Sequence, residues 1–194
     1  MEFVKTSDSI VVNTRKRLPD NSVECLIKDT VNELILLPQF SFVTHGGFAN
    51  IDGQTVAFLG ESGVGKTTFA QKMQKDCYND ERVIIGIRDS KVKVWNYPFG
   101  GREGKIYLRP IEQNLSMIIF LRKGNQLMLN HLSKFEATHQ LIRCTTHFDM
   151  EGFFSSYDYY KCISKILNIV PSFYLFSRLS DTQSDIAKVF ENRV

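Results

Sequence analysis

The sequence contains no apolar run approaching the roughly 20 residues that a bilayer-spanning helix needs. A soluble protein with no membrane partner is expected. The start, Met1-Glu2-Phe3-Val4-Lys5-Thr6, lacks the basic-then-apolar layout of a secretory signal, so a cytoplasmic location is expected. The four cysteines, Cys25, Cys77, Cys144 and Cys162, form no C-x-x-C pair, and widely separated thiols suit a reduced core better than a disulfide framework. The densest basic stretch is Arg15-Lys16-Arg17, and the net charge is only +3. A surface that tracks nucleic-acid phosphates needs clustered Lys and Arg, so nucleic acid is not an expected partner. Low-complexity segments, repeats and Pro/Gly/Ser-rich linkers are also missing.

What is there is ordinary globular composition, 43% hydrophobic and 23% charged over 194 residues. That length suits one domain, taken here as residues 1–194. Short β-rich runs come first: Ser9 to Val12, Val23 to Ile27, Glu33 to Leu37 and Phe40 to Thr44. Thr55 to Leu59 forms a further strand. Val83 to Ile87 and Val92 to Trp95 flank Arg88-Asp89-Ser90-Lys91 as a hairpin. Lys105 to Leu108, Ser116 to Leu121 and Gln126 to Leu129 are further strand candidates.

Helical signals follow. Ser133-x-x-Glu136 is a capping box that opens a helix through Ile142, and Thr182-x-x-Asp185 resembles one. Tyr157 to Ile169 fits a helix stopped by Pro171, with a strand from Phe173 to Phe176 after it. The expected fold class is therefore α/β, strand-rich early and helix-rich late.

One motif dominates the chemistry. Gly60-Glu61-Ser62-Gly63-Val64-Gly65-Lys66-Thr67 fits the phosphate-loop pattern G-x-x-x-x-G-K-[ST]. An apolar strand enters it, and a helix from Lys66 to Gln74 leaves it with Phe69 and Met73 on one face. A polyphosphate needs several donors converging at close range, and glycines let successive backbone N–H groups face inward. Lys66 would place an ammonium group between the outer phosphates. Thr67 would give its hydroxyl to Mg²⁺, and the helix adds its positive end. ATP and Mg²⁺ are the implied cofactors, with Thr68 completing the nucleotide-binding stretch.

Two other features flank the loop. Asp80-Glu81 precedes the strand Val83 to Ile87, where one carboxylate could hold the metal with Thr67 and the other accept a proton. His45-Gly46-Gly47 ends an apolar run upstream. His131, His139, Cys144 and His147 could suggest zinc, but Cys144-x-x-His147 is only half a site. The aromatics Phe153, Phe154, Tyr157, Tyr159 and Tyr160 read as core.

The order His45, strand, Gly60 to Thr68, Asp80-Glu81 resembles the catalytic domain of the HPr kinase/phosphorylase family, which shares a fold with the ATP-type phosphoenolpyruvate carboxykinases. The resemblance extends over roughly residues 40 to 194. Trp95-Asn96-Tyr97-Pro98-Phe99-Gly100-Gly101-Arg102 is similar to a turn in small members, and Ile169-Val170-Pro171-Ser172-Phe173-Tyr174-Leu175 resembles their closing helix, proline and strand. It implies a mixed-sheet phosphate-loop kinase domain. It also implies that His45, Asp80 and Glu81 deprotonate an acceptor hydroxyl and organise Mg²⁺, with the base open between His45 and Glu81. Arg102, with Lys105, would neutralise charge on the transferred group.

The chain departs from the family where Asp-Asp is replaced by Asp80-Glu81, and in lacking a glycine- and isoleucine-rich signature after Arg102. The 194 residues are not expected to include the family's extra N-terminal domain. HPr is therefore not the expected acceptor. The expected activity moves the γ-phosphate of ATP to a Ser or Thr hydroxyl of a peptide or small protein, including the precursor of a modified peptide. The alternatives are a nucleotide-binding regulatory module without transfer and a small-molecule hydroxyl kinase. The sequence does not choose between a monomer and a homo-oligomer.

Overall fold

A computed structural model describes residues 2–5, 10–13, 40–73, 76–79, 81–97, 111–145 and 156–191. Strands β1 (Glu2–Lys5) and β2 (Ile10–Asn13) pair with each other as a separate antiparallel ribbon. The strands of the main sheet are β3 (Ser41–Ile51), β4 (Gln54–Leu59), β5 (Cys77–Asn79), β6 (Arg82–Arg88), β7 (Lys91–Asn96), β8 (Glu112–Asn114), β9 (Met117–Lys123), β10 (Met128–His131) and β11 (Ser172–Ser177). The described helices are α1 (Lys66–Met73), α2 (Lys134–Cys144), α3 (Ser156–Ile169) and α4 (Gln183–Glu191).

The nine-stranded sheet runs β10-β11-β9-β4-β3-β6-β7-β8, with β5 pairing to the distal part of β3. It is mixed: β4 with β9 and β9 with β11 are parallel, and the other pairs are antiparallel. Parallel strands are covered on both faces and so carry unbroken apolar runs. Val56 to Leu59 and Met117 to Leu121 are accordingly buried throughout. The nine-stranded sheet and the helices on it thus form a mixed α/β fold.

Strand alternation assigns the helices to the two faces. Phe58 of β4 packs on Phe69 of α1, ring centroids 5.0 Å apart, and its register partner on β3 is Gly47. Thr44, on the opposite parity of β3, donates to the Cys144 carbonyl at the end of α2, while Phe42 meets Tyr159 of α3 edge-on at 5.6 Å. So α1 covers one face, and α2 with α3 covers the other.

Local signals act as expected at several points. Ser133 Oγ accepts from the Glu136 N–H at 3.3 Å, and Glu136 Oε2 accepts from the Ser133 N–H at 3.0 Å, which closes the capping box of α2. Thr182 and Asp185 exchange the equivalent bonds at the start of α4. The β6–β7 turn places Asp89 and Ser90 at φ of 52° and 61°, the mirror-image turn whose twist suits a hairpin.

Other boundaries move. Strand β3 does not stop at Thr44 but runs to Ile51, turning into β4 through Asp52 and Gly53 at φ of 50° and 72°. His45-Gly46-Gly47 is therefore inside a strand. Pairing on both edges overrides the low strand propensity of glycine there: β6 holds residues 41–45 and β4 holds residues 46–51. The strand placed at Gln126 to Leu129 is observed as Met128–His131, and the short strands β5 and β8 had no clear sequence signal. The strands read at Val23 to Ile27, Glu33 to Leu37 and Lys105 to Leu108 lie outside the described residues.

Candidate functional site

The glycine loop leaves the C-terminal end of β4 and delivers the chain into α1. Gly63 and Gly65 stand at φ of +79° and +108°, a region in which a Cβ is strained, so both positions require glycine. Lys66 folds back over the loop and donates from Nζ to the carbonyls of Gly60 at 2.8 Å and Glu61 at 2.9 Å. The first backbone bond of the helix runs from the Phe69 N–H to the Gly65 carbonyl at 2.9 Å. Burial of Phe69, Ala70 and Met73 pins α1 to the sheet beneath the loop.

The residues fit a polyphosphate. The first turn of α1 contains no acidic side chain to neutralise its positive end. Ser62, Gly63 and Thr67 are exposed, and the Lys66 ammonium is already aligned on the loop. Anionic oxygens entering there would meet backbone N–H groups, a helix terminus and one cation.

His45 lies at the side of this loop. Its carbonyl accepts from the Gly60 N–H at 3.4 Å, and the next residue, Gly46, donates its N–H to the Glu81 carbonyl at 2.9 Å. The three segments that carry His45, Gly60 and Glu81 are therefore stitched together by main-chain bonds. Gly46 is glycine because a Cβ would fall 2.3 Å from the Phe58 carbonyl oxygen and 2.5 Å from Leu59 Cδ2. By alternation, His45 projects on the α1 face, the face that carries Lys66.

Burial and neighbouring cations disfavour the protonated form of His45. Burial is the largest influence pushing its pKa below the ordinary 6.5, followed by the cations Arg82 and Lys66, with the Glu81 carboxylate pulling the other way. A half-buried neutral histidine with a carboxylate beside it can accept a proton and have the resulting charge stabilised.

Asp80, Arg102 and Lys105 lie outside the described residues, as does the turn Pro98 to Gly101. Among the described residues, no group of three or more His, Cys, Asp or Glu side chains is placed to hold a metal ion. Of the zinc candidates, His131 stands edge-on to Phe173 at 5.3 Å. Cys144 is buried, and that burial pushes its thiol up to about 11. His147 is outside the described residues.

No protein-family model matches the chain, and no curated protein matches it. Among solved structures, the Hpr(Ser) kinase/phosphatase from Coxiella burnetii is similar over 77% of this chain and 88% of that chain, at 10% identity and a TM-score of 0.44. The chemistry of the site rests on the residues above and not on that likeness.

Two residues near the site had no sequence signal. Arg82 is the register partner of His45 and lies with its guanidinium carbon 6.0 Å from the Tyr97 ring centroid. Arg143, on the last turn of α2, pairs through Nη2 with Glu61 Oε1 at 2.5 Å. Strand register brings the first to the site and helix packing brings the second, neither of which is written in local spacing.

Proposed function

We propose that the protein is an ATP-dependent phosphotransferase that acts on a hydroxyl acceptor. What supports this reading is that Gly60 donates its N–H to the His45 carbonyl and Gly46 donates its N–H to the Glu81 carbonyl, main-chain bonds that bring a histidine and a glutamate to the start of the glycine loop. A nucleotide-binding protein without transfer chemistry has no evident need for that pair.

In this reading the N–H groups of residues 60–66 and the Lys66 ammonium bind the outer phosphates. His45 takes the proton from the acceptor hydroxyl as its oxygen bonds to the γ-phosphorus; the bond from that phosphorus to the β–γ bridging oxygen breaks, and ADP leaves with its electrons. Glu81 stabilises the imidazolium so formed. Mg²⁺ held by Thr67 with Asp80 and Glu81 would supply charge neutralisation at the phosphate oxygens. Arg102 is proposed for the same purpose on the transferred group.

The proposed acceptor is a Ser or Thr of a peptide or small protein, supported by the resemblance of the sequence motifs to HPr kinase-like domains. The deciding experiment incubates purified protein with γ-labelled ATP, Mg²⁺ and a panel of peptides, followed by mass spectrometry. Label on Ser or Thr supports the reading. Nucleotide binding without transfer to any peptide or small-molecule hydroxyl would replace it with a nucleotide-responsive module.

A further inference from the structure

The last turn of α2 touches both halves of the site. On the loop side, Arg143 Nη2 meets Glu61 Oε1 at 2.5 Å, and Glu61 is the residue whose carbonyl holds the Lys66 ammonium. On the histidine side, Thr44, the neighbour of His45 in β3, donates from Oγ1 to the Cys144 carbonyl at 3.0 Å and forms an antiparallel bridge with Thr145. Thr44 is fully buried, so that bond is shielded from water.

The turn is itself anchored. Thr145 donates its N–H to the Leu141 carbonyl at 3.0 Å and its hydroxyl to the same carbonyl at 2.7 Å. The Tyr159 hydroxyl of α3 donates to Thr145 Oγ1. One turn earlier, Gln140 Oε1 accepts from Arg122 Nη2 at 2.6 Å, and Arg122 stands near the end of β9, the parallel neighbour of the loop strand β4. Ala137, Leu141 and Cys144 bury the inner face of α2, which sets the height at which Arg143 meets the loop.

We propose that the end of α2 is a brace joining the phosphate loop to the histidine strand, and that Arg143 is a positioning residue which holds the loop through Glu61. Arg143 acts on the nucleotide by limiting the conformations open to residues 60–66, through its contact with Glu61. The contact is a single Nη2–Oε1 ion pair without hydrogen-bond geometry, so a lysine, which keeps the charge but not the reach of the guanidinium, preserves only part of it. The nucleotide arm of the test rests on the proposed function, and the loop arm does not.

The test compares wild type, Arg143→Ala, Arg143→Lys, Glu61→Gln and the Arg143→Ala/Glu61→Gln double variant, with thermal midpoints to check that each is folded. Amide hydrogen exchange of the peptide covering residues 60–66 is measured without nucleotide, and a fluorescent ATP analogue is titrated in parallel. Exchange is expected to speed about threefold in each single Ala or Gln variant, in line with a half-exposed ion pair, with Arg143→Lys intermediate. The double variant is expected to match the singles, because both act on one contact. Affinity for the analogue should fall by a similar factor. Unchanged loop exchange in both single variants, or effects that multiply in the double variant, would overturn the proposal. If wild type binds no analogue, the proposed function fails while the exchange data still decide the brace.

Discussion

His45 and Arg82 face each other across β3 and β6 as register partners, so a guanidinium group shares a sheet face with the imidazole. Burial and, after it, that cation disfavour the protonated ring, so the His45 pKa is lowered from the ordinary 6.5. A base with a lowered pKa stays available as pH falls through 6.5 and is lost only at its own, lower pKa. Transfer should fade on the acid side at that lower pH. Arg82→Met should raise the His45 pKa and move the acid limb upward. Ring-proton NMR titration alongside a pH–rate profile measures both, and a midpoint unmoved by Arg82→Met would remove Arg82 from this role.

Lys66 Nζ is held by the Gly60 and Glu61 carbonyls, in the position from which it would meet an incoming phosphate. Lys66→Ala should weaken ATP binding by about tenfold or more, the scale of a lost charge-assisted hydrogen bond. Calorimetric titration with a non-hydrolysable analogue measures this. Affinity equal to wild type would mean that the nucleotide binds elsewhere.

Glu81 meets the His45 strand through its backbone carbonyl, a contact that substitution of the side chain leaves in place. Glu81→Gln should therefore keep nucleotide affinity close to wild type and lower the rate of transfer by roughly a hundredfold or more. Single-turnover measurement at saturating ATP separates the two effects. Transfer at the wild-type rate would exclude Glu81 from the mechanism.

Gly46 tests the close approach of β3 to β4. A methyl group 2.3 Å from the Phe58 carbonyl oxygen cannot be relieved by a side-chain rotation, because the obstructing atom is backbone. Gly46→Ala should cost about 1–3 kcal/mol in urea denaturation and displace the neighbouring His45. An unchanged denaturation midpoint would show that the two strands separate at little cost.

Much of this site was legible before the fold. The apolar run into Gly60, the glycines and the helix formers after Lys66 all act over a few residues, and the loop stands where they put it. The Ser133–Glu136 capping box is another contact between near neighbours, and it formed as read. Strand β3 was not legible in full, because the pair Gly46-Gly47 has the signature of a turn. Only the presence of β4 on one edge and the Glu81 carbonyl on the other explains why the strand continues. Arg82 and Arg143 were missed for a related reason: an arginine in a strand or on a helix surface looks the same whether it faces solvent or a site.

The amino-acid order alone settled what is local: the glycine bend after β4, the helix that follows it, and the caps and hairpin turn that begin and end elements. Those depend on torsion preferences and hydrogen bonds between residues a few positions apart. Tertiary structure decided which distant groups became neighbours: His45 to Gly60 and Glu81, Thr44 to Cys144, and Arg143 to Glu61. Such pairings follow from strand register and from the side-chain packing that sets the height of α2 on the sheet, and both are properties of the whole assembled core.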